Sequence, residues 1–274
     1  MISLRNVYYR FPHATNNALD GISWEVKRGQ YACICGANGS GKTTLLKHLN
    51  GLLKPTLGEV VIGEGHNSVN SAVCQQVGII FQNPEIQIIG ATVEEDIAFG
   101  PENLALPPPQ IRQRIDQSLE KLGITHLRER ETHTLSGGEK RLVAIAGILA
   151  MEPEVIAMDE PTAFLDYRAA QALRRVITEL LATGITVIHI THCLEDALSA
   201  DNIAIMGAGK ILCSGTPQEV FSKKDLLQEA GIKIPPIAEL LGRLKEQGFN
   251  IDSGAATTEA AYTQLLNLLQ RSTA

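Results

Sequence analysis

Residues 36–43 read Gly36-Ala37-Asn38-Gly39-Ser40-Gly41-Lys42-Thr43, a G-x-x-x-x-G-K-[ST] loop between a short apolar run at 31–35 and a helix-like run at 42–49. Glycines let the main chain wrap a phosphate with its N–H groups. Lys42 places an ammonium between β- and γ-phosphates, and the Thr43 hydroxyl suits Mg2+. Thr44 follows inside the helix-like run and joins the nucleotide-binding candidates. Such a loop takes a nucleoside triphosphate.

Hydrolysis needs carboxylates nearby, and the apolar run 155–158 ends in Asp159-Glu160. Asp159 is placed to hold Mg2+ through its water shell and Glu160 to polarise the attacking water. Two more polar residues follow apolar strand-like runs directly: Gln82 after 77–81 and His192 after 186–191. In open α/β sheets, ligands bind at the carboxyl ends of the strands. Lys42, Gln82, Asp159, Glu160 and His192 are therefore expected along one edge, with His189, inside its strand, left to the core.

A third element opens the stretch LSGGEKRLVAIAGIL at 135–149. Ser136 and Glu139 have the spacing of a capping box. Gly137 and Gly138 between them cost a helix roughly 1 kcal/mol each relative to alanine, so a plain cap does not account for them. They leave N–H groups unshielded at a helix N-terminus, which is an anion site.

These groups need a scaffold that brings strand ends together. Short apolar runs at 31–35, 77–81, 155–158 and 186–190 have the size of strands buried on both faces. Helix-like segments separate them, which predicts an α/β fold with a mostly parallel sheet. Alternating strands in the first thirty residues, with turns at Asn16-Asn17 and Arg28-Gly29, form an antiparallel subdomain. Residues of about 94–150 form a helical subdomain, with a proline break at Pro107-Pro108-Pro109. A hairpin is expected around Gly207-Ala208-Gly209, and a closing amphipathic helix at 260–269.

The chain has 274 residues, 44% hydrophobic and 20% charged, with a net charge of −6 and no basic block, which argues against a nucleic-acid partner. No signal-peptide pattern opens it, and the longest apolar run, 142–151, is far short of the roughly 20 residues of a membrane span. Its five cysteines have neither metal nor redox spacing and read as buried and reduced, as in a cytosolic protein.

In chain order, the phosphate loop at 36–43, Gln82, LSGGE at 135–139, the strand ending Asp159-Glu160, Leu165-Asp166 and His192 resemble the full motif set of an ABC transporter ATPase over about residues 1–215. The stretches 81–87, 92–104 and 143–151 further resemble energy-coupling-factor (ECF) and cobalt/nickel importer ATPase subunits, in which they flank a groove for a coupling helix of the membrane partner. The resemblance implies a RecA-like P-loop NTPase with ATP and Mg2+ as cofactors. It implies a catalytic domain at 1–240, helical subdomain included, and a helical C-terminal extension at 241–274.

The roles it implies are specific. Gln82 joins the Mg2+ shell and senses the γ-phosphate, Glu160 is the general base, and His192 contacts the γ-phosphate. Asp166 lies in a loop between two ATPase subunits, and Phe11, before Pro12, stacks on adenine, with Tyr9 as the fallback. Ser136, Gly137 and Gly138 contact the γ-phosphate held by a second subunit in a head-to-tail homodimer or related heterodimer. The partners are that subunit, a membrane-embedded coupling (T) subunit and a substrate-binding (S) subunit, at the cytoplasmic face of the cell membrane. The cargo is a vitamin or a transition metal ion.

Glu139 stands where Gln is frequent in the family, Phe164 where a small residue is usual, Tyr167 for proline and Phe11 for tyrosine. None of these removes a catalytic group. The competing expectations are a soluble ABC ATPase acting on ribosomes or DNA, and another P-loop enzyme such as a kinase or GTPase. The first usually carries paired ATPase domains or long coiled coils, and the second leaves LSGGE without a task.

Overall fold

A computed structural model describes residues 1–63, 66–67, 76–163, 165–192, 194, 196–232, 236–249, 251, 262–266 and 268. The main sheet contains β3 (Tyr31–Gly36), β6 (Val77–Ile80), β7 (Val155–Asp159), β8 (Thr186–Thr191), β9 (Asn202–Gly207) and β10 (Lys210–Gly215), in the order β10-β9-β3-β8-β7-β6. All neighbours are parallel except the hairpin β9–β10. Every residue of β3, β6, β7 and β8 is buried, as expected for strands covered on both faces.

Side chains alternate across a strand, and here the alternation divides the core in two. Tyr31, Cys33 and Cys35 point into one cluster with Ile156 and Met158, whereas Ala32 and Ile34 join Val155 and Ala157 in the other. The second cluster is closed by α1 (Lys42–Leu49) and by an antiparallel sheet, order β2-β1-β4-β5. Its strands are β1 (Ile2–Tyr9), β2 (Leu19–Val26), β4 (Leu57–Ile62) and β5 (His66–Asn67). Leu45, Leu46 and Leu49 of α1 are fully buried there, each worth roughly 2 kcal/mol of apolar burial. The phosphate loop thus sits between a rigid strand and a helix anchored on its apolar side.

The first cluster receives the helical block: α2 (Val93–Asn103), α3 (Pro108–Lys121) and α4 (Gly137–Leu149). The expected proline break spans residues 104–107 and so includes only the first of the three prolines. Pro107 is the N-cap of α3, and Pro108 and Pro109 begin its first turn, where a missing N–H costs nothing and a preset φ helps. Helix α4 lies directly on β6: a Cβ on Gly78 would overlap Ile148. Helix α5 (Tyr167–Ala182) covers the same face through Leu173, Val176, Ile177 and Leu180.

Beyond β10 come α6 (Pro217–Phe221), α7 (Lys224–Glu229) and α8 (Pro236–Glu246). Helix α8 runs through residue 240, where the sequence reading ends the catalytic domain, and its Leu241 packs with Ile251 in a small separate cluster. Of the expected closing helix at 260–269, residues 262–266 and 268 are helical and the others lie outside the described residues. Phe164 also lies outside them, as do Cys74 and Cys193, while Cys33, Cys35 and Cys213 are buried. No helix among the described residues is long and apolar enough to cross a membrane.

Candidate functional site

At the end of β3 the chain turns through Gly39 (φ 79°) and Gly41 (φ 102°) into α1. Gly41 is the N-cap of α1 in left-handed geometry, and a Cβ there would lie 2.6 Å from the Ala18 carbonyl oxygen. No side chain caps α1, so its first N–H groups are left for an anion. Lys42 is nearly buried and folds back on the loop, its Nζ donating to the carbonyls of Gly36 (2.8 Å) and Ala37 (3.0 Å). Burial lowers the pKa of this ammonium, against the opposing pull of Glu160 and Asp159.

Three adjacent strands deliver the other groups. Asp159 ends β7, and its Oδ2 accepts from the Thr43 hydroxyl at 2.7 Å. Burial pushes the Asp159 carboxyl up, with the Thr43 bond opposing. Glu160, the next residue, is a non-glycine at φ 46°, a sparsely populated conformation. Its N–H donates to the Ile190 carbonyl of β8 at 2.8 Å, which helps hold that turn. Gln82, just past β6, donates from Nε2 to Glu160 Oε2 at 2.9 Å. His192, just past β8, brings Nδ1 within 3.1 Å of Glu160 Oε1.

These groups line a cavity of about 840 Å3, which also includes Phe11, Asn38, Gly39, Gly41, Lys42, Thr43 and Thr44. Phe11 rather than Tyr9 faces it. Tyr9 sits behind, packed edge-on between Phe11 (centroids 4.9 Å apart) and the buried His48 (4.7 Å). Gly36 and Ser40 are not on the cavity wall, and Ser40 is buried in the loop. His189 is core, as its place within β8 predicted: its Nδ1 is 2.8 Å from the Tyr31 hydroxyl.

Four candidate residues are elsewhere. Asp166 is the N-cap of α5, accepting from the Ala169 N–H at 2.8 Å. Ser136 caps α4 in the expected capping box, with Glu139 Oε2 accepting from its N–H at 2.7 Å and its hydroxyl at 2.8 Å. Those two bonds hold the Glu139 carboxyl below its usual range. Among the described residues, a Cβ on Gly137 would meet nothing within 4 Å, and one on Gly138 only Ala169 Cβ at 3.7 Å. Ser136, Gly137, Gly138 and Asp166 line no part of the 840 Å3 cavity, so packing within this chain does not call for the two glycines.

The sequence reading missed two groups. Arg141 is buried and donates from Nη2 to the Gln82 carbonyl at 2.8 Å. Its signal was a charge on the apolar stripe of α4, four and seven residues before Ile145 and Ile148. Asp196 is half-buried, with its carboxylate nearly enclosed, and accepts from Thr162 Oγ1 at 2.7 Å and from Arg174 at 2.8 Å. Burial pushes its carboxyl up, but Arg174, His189 and Thr162 outweigh that and leave it lowered. Nothing local in the sequence marks it.

A second, apolar cavity of about 520 Å3 opens between α2, α4 and the loop before α2, lined by Ile89, Phe99, Gly100, Gly147 and Met151 among others. Ile89 and Phe99 are at least half exposed there.

A phosphate loop facing a strand-end carboxylate, with a helical insert bearing LSGGE, defines a P-loop ATPase of the cassette type. The chain belongs to the ABC transporter family, whose model matches residues 19–163, and it is an ABC-type ATPase. Within that family it is similar to the energy-coupling factor transporter ATP-binding protein EcfA of Methanothermobacter thermautotrophicus, 44% identical over 98% of this chain and 88% of that protein. It is also similar to the cobalt import ATP-binding protein CbiO of Syntrophus aciditrophicus, 46% identical over 92% of this chain and 91% of the other. Among solved structures, cbiO1 of Clostridium perfringens, part of the ABC transporter complex cbiONQ, superposes with a TM-score of 0.75. It is 36% identical, over 89% of this chain and 98% of that one.

Proposed function

We propose that this chain is the ATP-hydrolysing subunit of an ECF-type importer of a vitamin or a transition metal ion such as cobalt or nickel. It works as a pair of ATPase subunits on the cytoplasmic face of the cell membrane. The observation that carries the reading is the division of the site. The phosphate loop and Glu160 share one cavity, while the capped N-terminus of α4, opening on two glycines with room around both, lies outside it. A head-to-tail partner completes each half.

The residues assign the steps as follows. The loop N–H groups and the N-terminus of α1 receive the phosphates of ATP, and Lys42 exchanges its two loop carbonyls for phosphate oxygens. Phe11 stacks on the adenine. Glu160 accepts a proton from a water whose oxygen attacks the γ-phosphorus as the bond to the β-phosphate oxygen breaks. Gln82 and His192, both already in contact with Glu160, orient that water and the γ-phosphate.

The Thr43 hydroxyl, the Asp159 carboxylate and the Gln82 amide oxygen are hard donors of the kind Mg2+ takes. The described residues contain no cluster of three or more His, Cys, Asp or Glu that would make an all-protein cage for an ion. Mg2+ is usually held by one or two carboxylates together with phosphates and water, and Asp159 supplies such a carboxylate beside the Thr43 hydroxyl, so the residues fit. When bound, it neutralises charge developing on the phosphate oxygens.

Ser136, Gly137 and Gly138 of one subunit donate to the γ-phosphate held by the other, with Asp166 at the seam. Hydrolysis removes those contacts and the pair opens. The apolar groove between α2 and α4 receives a helix of the membrane-embedded coupling (T) subunit, which sits beside the substrate-binding (S) subunit, so opening is transmitted to transport. Native co-purification from membranes, with the partners identified, tests this. Recovery of two membrane proteins with either two copies of this chain or this chain and a related ATPase is the expected result. A protein found wholly in the soluble fraction without a membrane partner overturns it.

A further inference from the structure

Arg141 is 3% exposed, and among the described residues no carboxylate pairs with it. A buried guanidinium without a counter-charge is costly, and burial lowers its pKa. Its donors go to main-chain oxygens: Nη2 to Gln82 at 2.8 Å, and Nη1 to Glu160 at 3.4 Å, the long limit for such a bond. Those residues are also joined through their side chains by the 2.9 Å Gln82–Glu160 bond. The fork therefore closes a ring that contains both groups facing the γ-phosphate position, and one of them is the strained Glu160.

Arg141 also lies on α4, five residues after its Ser136 cap, which at 1.5 Å per residue is about 7.5 Å along the helix. The same rigid helix carries the half-site presented to a neighbouring subunit. We propose that Arg141 is a positioning residue that clamps the main chain of Gln82 and Glu160, tying the hydrolytic groups of this chain to the helix whose N-terminus faces the partner's nucleotide. This rests on the reading of Gln82 and Glu160 as the hydrolytic pair. Arginine suits the task because its planar fork serves two carbonyls from one side chain, which a single ammonium does not.

The test uses the full-length chain with its native partners and the variants Arg141→Met and Arg141→Lys, with Glu160→Gln as control. A fluorescent ATP analogue titrates the folded, nucleotide-binding fraction, and kcat is normalised to it. In R141M, nucleotide Kd and KM are expected within about twofold of wild type, and kcat lower by roughly tenfold or more, the scale of a small misplacement of catalytic groups. R141K keeps one of the two bonds and gives an intermediate kcat; if R141M does not fold, a lowered R141K kcat at unchanged KM decides in favour. Normalised kcat within about twofold of wild type overturns the proposal, in R141M or, where that variant does not fold, in R141K. Loss of nucleotide binding by both variants overturns it too, making Arg141 a folding residue. Retained turnover in E160Q instead overturns the underlying reading.

Discussion

Gln82 Nε2 donates to Glu160 Oε2 at 2.9 Å, joining two side chains 78 positions apart in the chain. In the proposed mechanism this contact holds the glutamate toward the water that attacks the γ-phosphate. Replacing Glu160 with Gln keeps the shape and removes the base. The variant is expected to bind ATP normally and lose turnover by about 10²–10⁴-fold, the usual worth of a general base. With ATP it should accumulate as a closed pair, read by gel filtration. A variant that hydrolyses ATP at the wild-type rate rejects Glu160 as the base.

The space around Gly138 separates folding from function. A Cβ at this position finds only Ala169 Cβ, at ordinary contact distance, among the described residues, and leucine favours a helix by roughly 1 kcal/mol over glycine. Gly138→Leu should therefore melt no lower than wild type and bind nucleotide with unchanged affinity. Turnover should be lost, because in the proposed pair the side chain would stand where the partner's γ-phosphate approaches. Calorimetry, nucleotide titration and ATPase rates decide it together. Loss of binding in the isolated subunit would refute a role in trans.

Phe11 is 43% exposed on the cavity wall and braced from behind by Tyr9. Stacking of a base on an aromatic ring is worth about 1–3 kcal/mol. Phe11→Ala should thus raise the KM for ATP by roughly five- to hundredfold, leave kcat near wild type, and be restored by Phe11→Tyr. An unchanged KM moves the adenine away from this ring.

His189 gives a pH signature. Burial depresses its pKa to about 4, with Arg174 also lowering it and Asp196 opposing. Nδ1–H donates to the Tyr31 oxygen in the arrangement that lets Tyr31 donate onward to the Asp196 carbonyl, 3.2 Å away. Below the unfolded value near 6.5 the unfolded chain takes up a proton that the folded chain refuses. The stability from neutral His189 is complete above about pH 6.5 and declines as pH falls toward 4, by on the order of 3 kcal/mol in all. Urea unfolding at pH 7 and pH 5 should show wild type losing more stability than His189→Gln. Parallel curves for the two proteins would reject the assignment.

The phosphate loop, the carboxylate pair and the capped LSGGE helix were legible because each is a contiguous segment whose chemistry follows from its own backbone. Gly41 makes its turn, Lys42 lies beside it, and Ser136 and Glu139 satisfy each other across one turn of helix. Apolar runs of strand length likewise implied strand ends gathered on one edge, so Gln82, Asp159, Glu160 and His192 could be named together. Local pattern was less decisive at 107–109, where the prolines that look like a break in the helix are the start of the next one.

What the sequence determined by itself is the inventory of short-range chemistry: a phosphate-loop turn, carboxylates at a strand end, and a capped helix that opens on two glycines. The tertiary structure decided the relationships between distant segments. Phe11 rather than Tyr9 meets the cavity because Tyr9 is wedged against His48. Arg141 grips residues 59 and 19 positions away, and Asp196 anchors Thr162 from 34 positions on. The physical reason is that a hydrogen bond depends on position in space, and only the packing of α4 and α5 on the sheet brings these partners within reach.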